Sequence, residues 1–206
     1  MPFDIHQPIF DDDGECEEAE FQAYVEAFID AFRASPEGAA LPEVDWVDSV
    51  AEYARTYFSA TLASLQPGEF DEIVWEIFPR KVSVDPAEGT AIVRELRAFW
   101  AFVGREYGLE QAASCLRVVG DGAEARLTEY LGDPRRFGMA KGFFMAGKDA
   151  GFDMTSEAGI QTWAAAYNGG LAMARETEQR RRDDKDTAAR KAKRKREKAA
   201  RKKARR

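Results

Sequence analysis

Hydrophobic residues recur along this chain at the three- and four-residue spacing of helices, and no segment alternates as a half-buried strand would. The pattern predicts helices over residues 21–32, 46–65 and 70–78. Ser35-Pro36 follows the first and Pro79 closes the third, because proline lacks the N–H that a helix interior needs. The N-terminal half is therefore expected to be helical.

Two aspartate–proline pairs predict further helix starts, each with a capping carboxylate followed by proline at the first helical position. Asp85-Pro86 opens a helix whose buried face is Ile92, Leu96, Phe99, Trp100, Val103 and Tyr107. Asp133-Pro134 opens one whose inward residues are Phe137, Ala140, Phe143, Phe144 and Gly147. Between them, a stripe over residues 109–131 predicts one helix, or two if Gly120-Asp121-Gly122 breaks it.

Thr155 or Ser156 is expected to cap the last packed helix, and Asn168-Gly169-Gly170 to end it. The apolar face of this helix is Ile160, Trp163, Ala164 and Tyr167. The fold class predicted is therefore all-α, with about six to seven helices over residues 21–168, in one body or in two subdomains, 21–80 and 85–168. A flexible acidic leader, residues 1–20, precedes this domain, and a basic tail, residues 169–206, follows it as an extended or helical segment.

Charge divides the chain more sharply than its formal value of −7 suggests. Residues 1–173 hold 13 Lys and Arg against 31 Asp and Glu, a charge of −18. Residues 174–206 hold 17 against 6, a charge of +11. An acidic body that carries a basic tail is the main compositional feature, and the tail could bind a polyanion or lie on the acidic body as a solubilising or intramolecular arm.

The two cysteines, Cys16 and Cys115, are too far apart and too differently placed to suggest a disulfide framework or a metal site. The N-terminus shows neither the basic nor the apolar region of a signal peptide, and the longest apolar run, residues 98–103, is too short to cross a bilayer. We therefore expect a cytoplasmic protein with no membrane partner, no metal and no cofactor.

One stretch resembles a known family. Its motifs are Phe78-Pro79-Arg80-Lys81-Val82, Tyr130-Leu131-Gly132-Asp133-Pro134, Gly138-Met139-Ala140-Lys141, Gly151-Phe152-Asp153-Met154-Thr155, Trp163 and Tyr167-Asn168. Residues 70–168, about half of the chain, are similar to a helical domain of uncharacterised bacterial proteins that accompanies plasmid ORF-3-like and SEC-C-motif modules. The resemblance implies an all-helical fold and brings no activity and no catalytic residue. This chain lacks the cysteines of a SEC-C motif.

Candidate catalytic and ligand motifs are weak. Residues 142–148 match the first seven positions of a phosphate-binding P-loop, but Asp149 follows where a hydroxyl belongs and no strand pattern precedes them. His6 is the only histidine, and a nucleophile would need it beside Cys115 or a serine. The carboxylates show no metal-binding spacing, although a carboxylate-lined cleft is left open. The sequence predicts that the protein is not an enzyme.

Basic residues of the body cluster at predicted helix boundaries, as Arg80-Lys81 and as Arg135, Arg136 and Lys141. If the fold brings these groups together, they could bind phosphate near exposed backbone amides. Alternatively, they only solvate helix ends or pair with the many acids.

The tail carries the strongest functional pattern, because residues 190–206 contain 12 basic residues and one acid. Such a segment can neutralise several nucleic-acid phosphates without reading sequence, and it has no aromatic residue for base stacking. The predicted nucleic-acid-binding residues are Arg190, Lys191, Lys193, Arg194, Lys195, Arg196, Lys198, Arg201, Lys202, Lys203, Arg205 and Arg206.

Three functional hypotheses follow. The first is a cytoplasmic, non-enzymatic protein whose tail binds RNA or DNA non-specifically, the ribosome included, while the acidic domain binds a protein partner or limits adhesion. The second is a protein-interaction module whose tail acts only electrostatically or in self-association. The third is an enzyme that uses carboxylates in a cleft between helices.

Overall fold

The computed structural model describes the backbone of residues 4–203 and the side chains of residues 4–183 and 185. Every secondary-structure element in this part of the chain is helical, which confirms the all-α prediction. The chain divides into two compact units, Met1–Met145 and Ala146–Arg206. The sequence pattern placed the end of the domain later, at residue 168. Within residues 4–203, no helix combines the length and the apolar character that a membrane span requires.

Unit 1 is built around its longest helix. Its helices are α1 (Glu18–Arg33), α2 (Pro36–Ala39), α3 (Trp46–Phe58), α4 (Pro67–Glu72), α5 (Phe78–Lys81), α6 (Gly89–Glu106), α7 (Ala112–Val118) and α8 (Ala123–Gly132). Helix α6 contacts α2, α3, α7 and α8. At its centre Trp100 is fully buried, with its ring edge-to-face against Phe70 and Phe99 at centroid distances of 5.2 and 5.4 Å. The predicted apolar face of α6 is confirmed, although Tyr107 is only partly buried.

Helix α1 supplies the aromatic layer that covers α6. Phe28 and Phe32 are fully buried and pack on Phe99, with ring centroids 5.5 and 5.4 Å apart. The same two side chains also contact Phe102. Burying each such ring stabilises the fold by about 1.5–3 kcal/mol through removal of apolar surface from water. The stripe over residues 21–32 thus specifies the aromatic contacts between α1 and α6.

The second predicted helix is shorter than the sequence pattern indicated. Helix α3 ends at Phe58. Ser59, its C-terminal cap, has a left-handed φ of 48°, and the N–H of Ala60 donates to the carbonyl of Ala54. Leu62 and Leu65 are fully buried in the turn that follows. Apolar residues therefore keep their helical spacing in the sequence beyond Ser59, although the helix itself has ended.

The prediction that Pro79 ends the third helix is wrong. A helical segment runs from α4 through π-helical Ile73–Ile77 into α5, and Pro79 lies in the first turn of α5. In the π-segment the N–H of Phe78 bonds to the carbonyl of Ile73, five residues back. The helical hydrogen bonds of α5 therefore begin anew just before Pro79. In the first turn of a helix the N–H groups have no partner within the helix, so the N–H that proline lacks costs little there.

Glycine breaks the fifth predicted helix into α7 and α8. Gly122 has a φ of 79°, which glycine adopts without strain, and α8 begins at the next residue. Both aspartates are caps, but the prediction that Asp133-Pro134 opens the helix with Phe137 is wrong, because Asp133 caps only a 3₁₀ turn and Phe137 is extended. Asp85 accepts a bond from the N–H of Ala87, and Asp133 accepts one from the N–H of Arg135. Each is followed by a 3₁₀ turn, Pro86–Glu88 and Pro134–Arg136.

The acidic leader contributes to the core, which the sequence analysis did not foresee. Ile5 and Ile9 are each 5% exposed and belong to the hydrophobic core of unit 1. The hydroxyl of Tyr24 donates a hydrogen bond of 3.1 Å to the carbonyl of Ile5. Burial raises the pKa of Tyr24 to about 12. The leader exposes its acids, which include Asp11, Asp12 and Asp13.

Helix α9 (Met139–Asp149) starts three residues after the Pro134–Arg136 turn. Its predicted inward face is partly wrong, because Ala140 is exposed while Lys141 is buried. Phe143 and Phe144 are half-buried, and Gly147 is buried. Gly147 leaves room for its neighbours within unit 2, since a Cβ there would lie within 3 Å of Met154 and Trp163 side-chain atoms.

Unit 2 contains the end of α9 and the long helix α10 (Glu157–Lys203). Ser156 is the cap, because its hydroxyl accepts a bond of 3.2 Å from the N–H of Gly159. Trp163 packs against Phe152 and Tyr167 at centroid distances of 5.2 and 5.4 Å. The predicted stop at Asn168-Gly169-Gly170 is wrong, since α10 continues and neither glycine has a positive φ. Each helical glycine costs about 1 kcal/mol, and the flanking Ala, Leu, Met and Arg are good helix formers.

Candidate nucleic-acid interface

The predicted interface lies at the far end of α10, which would be about 70 Å long at the usual 1.5 Å rise per residue. The backbone of Arg190 to Lys203 belongs to this helix, but the side chains of these residues lie outside the described part of the structure. Arg205 and Arg206 lie outside it altogether. The structure thus supplies the helical backbone that leads to the predicted binding residues.

Charge along α10 changes between two consecutive segments. Residues 174–186 contain five basic and five acidic residues, so this segment has no net charge. Residues 187–206 contain 12 basic residues and one acid, and they hold the entire +11 of the tail. The neutral segment spans about 20 Å as a helix. The cationic end is therefore separated from the packed part of unit 2 by more than a Debye length at physiological salt, which is about 8 Å.

Two ion pairs join opposite charges within the first segment. Arg180 pairs with Glu176 at 2.7 Å, and Arg182 pairs with Glu178 at 3.2 Å, each across one helical turn. Such exposed pairs contribute only a few tenths of a kcal/mol each. They nevertheless compensate the arginines locally, whereas Glu197 is the sole acid beyond residue 186. Free cationic charge is therefore concentrated in residues 190–206.

The fold does bring the basic boundary residues of the body close together. The N–H of Gly138 donates a hydrogen bond of 3.0 Å to the carbonyl of Arg80, which places α5 beside the segment that leads into α9. Lys141, however, is 2% exposed and points inward. Its ammonium donates to the carbonyls of Pro79 and Leu131 at 3.0 and 3.1 Å. Lys141 therefore closes two helix C-termini and is not placed to bind phosphate.

The remaining boundary cations differ in their partners. Arg135 forms a bidentate pair with Asp133 at 2.9 Å, and Arg136 lies 3.8 Å from Glu76. The Arg135 guanidinium lowers the pKa of Asp133. Arg80 and Lys81 are exposed, and neither forms an ion pair with any described residue. The alternative that these residues only serve helix ends or pair with acids therefore holds for Arg135 and Lys141. Arg80 and Lys81 also lie at a helix end, in the last turn of α5, but they have no acidic partner among the described side chains.

Sequence reasoning missed a guanidinium–aromatic arrangement on the same side of α8. The guanidinium carbon of Arg126 lies 4.0 Å from the ring centroid of Trp75 and 5.1 Å from that of Tyr130. That of Arg136 lies 3.4 Å from the Tyr130 centroid. Arg126 and Tyr130 are four residues apart, a spacing that places them on one helix face. Trp75 and Arg136 come from other elements, so only the fold could reveal the cluster.

The rejected phosphate-loop motif is helical. Residues 142–148 lie within α9, and the N–H of Gly142 already donates to the carbonyl of Gly138. A phosphate loop needs an open backbone whose N–H groups are free. These residues therefore form no phosphate loop, and Gly147 instead allows the close approach of Met154 and Trp163.

A nucleophilic site gains no support from the described side chains. His6 and Ser64 line the same groove, of about 340 Å³, yet no described hydrogen bond joins them. The Ser64 hydroxyl instead accepts from the N–H of Thr61 at 2.9 Å. Cys115 is buried without a disulfide partner, and burial raises the pKa of its thiol to about 12. A thiol held in this way is inert at neutral pH.

A carboxylate-lined groove does exist, between α1 and the start of α3. It has a volume of about 310 Å³, and Glu26, Asp45 and Asp48 line it together with Arg33. No histidine, serine or cysteine lines it. Within residues 4–183 and 185, no group of three His, Cys, Asp or Glu side chains is placed to hold a metal ion. The groove alone defines no reaction.

No protein-family model, no curated protein and no solved structure matches this chain. The resemblance of residues 70–168 to a bacterial helical domain therefore stays a prediction.

Proposed function

We propose that this is a non-enzymatic cytoplasmic protein whose C-terminal segment, residues 187–206, binds nucleic acid without sequence preference. The observation that carries the proposal is the charge division, with +11 in those residues and −18 in residues 1–186. A polycation of this density gains free energy from the release of counterions condensed on RNA or DNA. The ribosome, which exposes RNA backbone, belongs to the class of partner proposed.

The helix that leads to the cationic segment supports this proposal. Its neutral part, residues 174–186, keeps the cationic residues away from the packed part of unit 2 and compensates its own charge. Leu171 and Met173 are 40% and 73% exposed, so the helix has little apolar contact here. An anionic membrane surface is a weaker partner, because a helix that binds membranes needs an apolar face to insert.

Binding should depend on phosphate density and not on base sequence. We expect the full chain to bind unrelated duplex DNAs and a structured RNA with affinities that agree within a few-fold at about 50 mM salt. Purified protein should also carry nucleic acid, visible as a raised ratio of absorbance at 260 and 280 nm. Strong preference for one sequence, or absence of binding to any of these nucleic acids, would contradict the proposal.

The alternative is a protein-interaction module whose tail acts only electrostatically. In that case the full chain would show no nucleic acid on purification, and a polyanion such as heparin would not compete with its partner. The absorbance ratio and the heparin competition, measured on one preparation of the full chain, therefore distinguish the two hypotheses.

A further inference from the structure

A cluster of basic residues on unit 1 reverses the sign of an otherwise acidic surface. We define the α8 arginine cluster as Arg80, Lys81, Arg126, Arg135 and Arg136, which approach one another through α5, α8 and the Pro134–Arg136 turn. Among the described residues, the carboxylates that pair with its cations or act on their charge are Glu76, Glu129 and Asp133. Five cations against three carboxylates contrast with the 13 basic and 31 acidic residues of residues 1–173.

Two guanidinium groups of the cluster rest on a fixed aromatic support. Trp75 is 2% exposed and lies in the π-helical segment, and Tyr130 stands edge-to-face against it with centroids 6.1 Å apart. Arg126 lies over both rings, and Arg136 lies 3.4 Å above Tyr130. A guanidinium group that lies over an aromatic ring can still donate N–H bonds to another partner, and the ring contact restricts motion that binding would otherwise have to stop.

Availability of these donors differs among the cluster residues. Arg135 is committed to Asp133, and Arg136 lies 3.8 Å from Glu76. Arg126 is exposed and has no ion pair with any residue whose side chain the structure describes, and the same holds for Arg80 and Lys81. Most other arginines of unit 1, among them Arg55, Arg97 and Arg105, are paired with acids. Three basic residues of unit 1 that form no ion pair with a described side chain, Arg80, Lys81 and Arg126, thus lie on the contacting helices α5 and α8.

We propose that the α8 arginine cluster is a second contact surface for the phosphate backbone of the nucleic acid that the tail binds. This inference rests on the proposed function, because unit 1 as a whole is anionic and would not attract a polyanion unaided. Planar guanidinium groups suit phosphate, which they can bind through two parallel N–H donors. Trp75 and Tyr130 support arginines and do not present free faces to bases, so the contact is to backbone and carries no sequence preference.

The test compares two pairs of substitutions that remove the same charge from the full chain. Arg126→Gln with Arg136→Gln removes the stacked guanidinium groups. The matched control is Arg94→Gln with Arg117→Gln, two exposed arginines on α6 and α7. Dissociation constants for a duplex DNA are measured by anisotropy between about 50 and 200 mM salt. Substitution of the cluster pair should make the slope of log affinity against log salt less negative by about 0.9 for each phosphate that is no longer neutralised. The control pair should change the slope by less than half of that.

A charge-neutral substitution gives an independent reading. Tyr130→Leu removes the ring under both guanidinium groups, so it should weaken binding although the net charge is unchanged. If the substituted chains melt below the temperature of the wild type, Arg80→Gln with Lys81→Gln replaces them, because both side chains are exposed. This substitution pair should also make the log affinity fall less steeply with log salt concentration.

Equal slopes for the cluster and control pairs, with binding intact, would overturn this inference and leave the tail as the only contact. No effect of Tyr130→Leu on the affinity of a folded chain would also overturn it. A full chain that binds no duplex at about 50 mM salt would instead overturn the proposed function itself.

Discussion

The carboxylate of Glu95 accepts a 2.6 Å hydrogen bond from the backbone N–H of Trp46, 49 positions earlier in the chain. It also accepts from the N–H groups of Val47 at 2.8 Å and Asp45 at 3.0 Å. Glu95 lies on α6 and is 3% exposed, and it takes the place of a local cap, because the side chain of Asp45 makes no capping bond to α3. Burial raises the pKa of Glu95, and the three donors oppose that shift.

Glu95→Ala should therefore destabilise unit 1 strongly. It leaves buried N–H groups of α3 without an acceptor, at a cost of about 1–3 kcal/mol for each donor that water cannot reach, and about 2–4 kcal/mol in total. Urea unfolding followed by tryptophan fluorescence measures the loss. Asp45→Asn is the control and should change the free energy of unfolding by less than about 0.5 kcal/mol. A loss below about 1 kcal/mol for Glu95→Ala would contradict the capping role.

Trp100 tests the packing of the core. Trp100→Ala should cost about 3–5 kcal/mol, because it empties the centre of unit 1, and total stabilities are about 5–15 kcal/mol. Trp100→Phe should cost much less. Among the described residues, the indole N–H of Trp100 has no hydrogen-bond partner, so the smaller ring removes an unpaired buried donor. Thermal melts compare the two variants; equal losses would show that the unpaired donor has no energetic effect.

Lys141 predicts a pH dependence of stability. Burial lowers the pKa of its ammonium from its usual 10.5 to about 8, while the unfolded chain retains the usual value. Between these values the unfolded state binds one more proton than the folded state, so stability rises with pH. Below about pH 8 Lys141 is charged in the folded state as well, so the burial of its charge destabilises the fold by the full amount. Relative to Lys141→Met, the wild type should gain about 1–3 kcal/mol from about pH 8 to 10.5.

Urea unfolding of both chains across this pH range provides the measurement. Groups such as Tyr24 and Cys115, whose pKa values burial raises, are present in both chains, so their contributions cancel in the difference. A difference between the two chains that stays constant with pH would mean that the bonds to Pro79 and Leu131 hold the ammonium charged throughout.

The acidic leader should weaken nucleic-acid binding by competing with phosphate for the tail. Deletion of residues 1–20 would remove core residues Ile5 and Ile9, so substitution is the cleaner test. Asp12→Asn with Asp13→Asn removes two exposed charges while it keeps Asp11, whose side chain accepts bonds from the turn. Affinity should rise at about 50 mM salt and approach the wild-type value at 200 mM, because screening removes the competition. Unchanged affinity at low salt would show that the leader does not compete.

Local signals predicted the regular parts of this fold. The caps at Asp85, Asp133 and Ser156 and the apolar face of α6 depend only on neighbouring residues, and the structure has all of them. Competing local signals explain the errors. The apolar residues between 59 and 65 have helical spacing in the sequence, but in the structure they are buried while the backbone forms a turn. The glycines after Asn168 did not adopt the left-handed conformation that ends a helix.

The candidate site was only half predictable. Charge counting along the chain finds the tail, since density of Lys and Arg is a property of sequence alone. The support of Arg126 by Trp75, and the burial of Lys141 between two carbonyls, join residues that are far apart in the chain. Such contacts depend on tertiary packing, which overrides the expectation that boundary lysines and arginines are solvated.

The salt dependence of binding, with and without residues 187–206, tests the central claim most directly. Truncation removes a net charge of +11 and leaves a chain with a net charge of −18. The full chain should bind duplex DNA at about 50 mM salt and lose affinity steeply towards 200 mM, with a log–log slope of about −0.9 for each phosphate neutralised. The truncated chain should show no measurable binding at either salt. Binding of the truncated chain as tight as that of the full chain, or full-chain binding that does not respond to salt, would contradict the account.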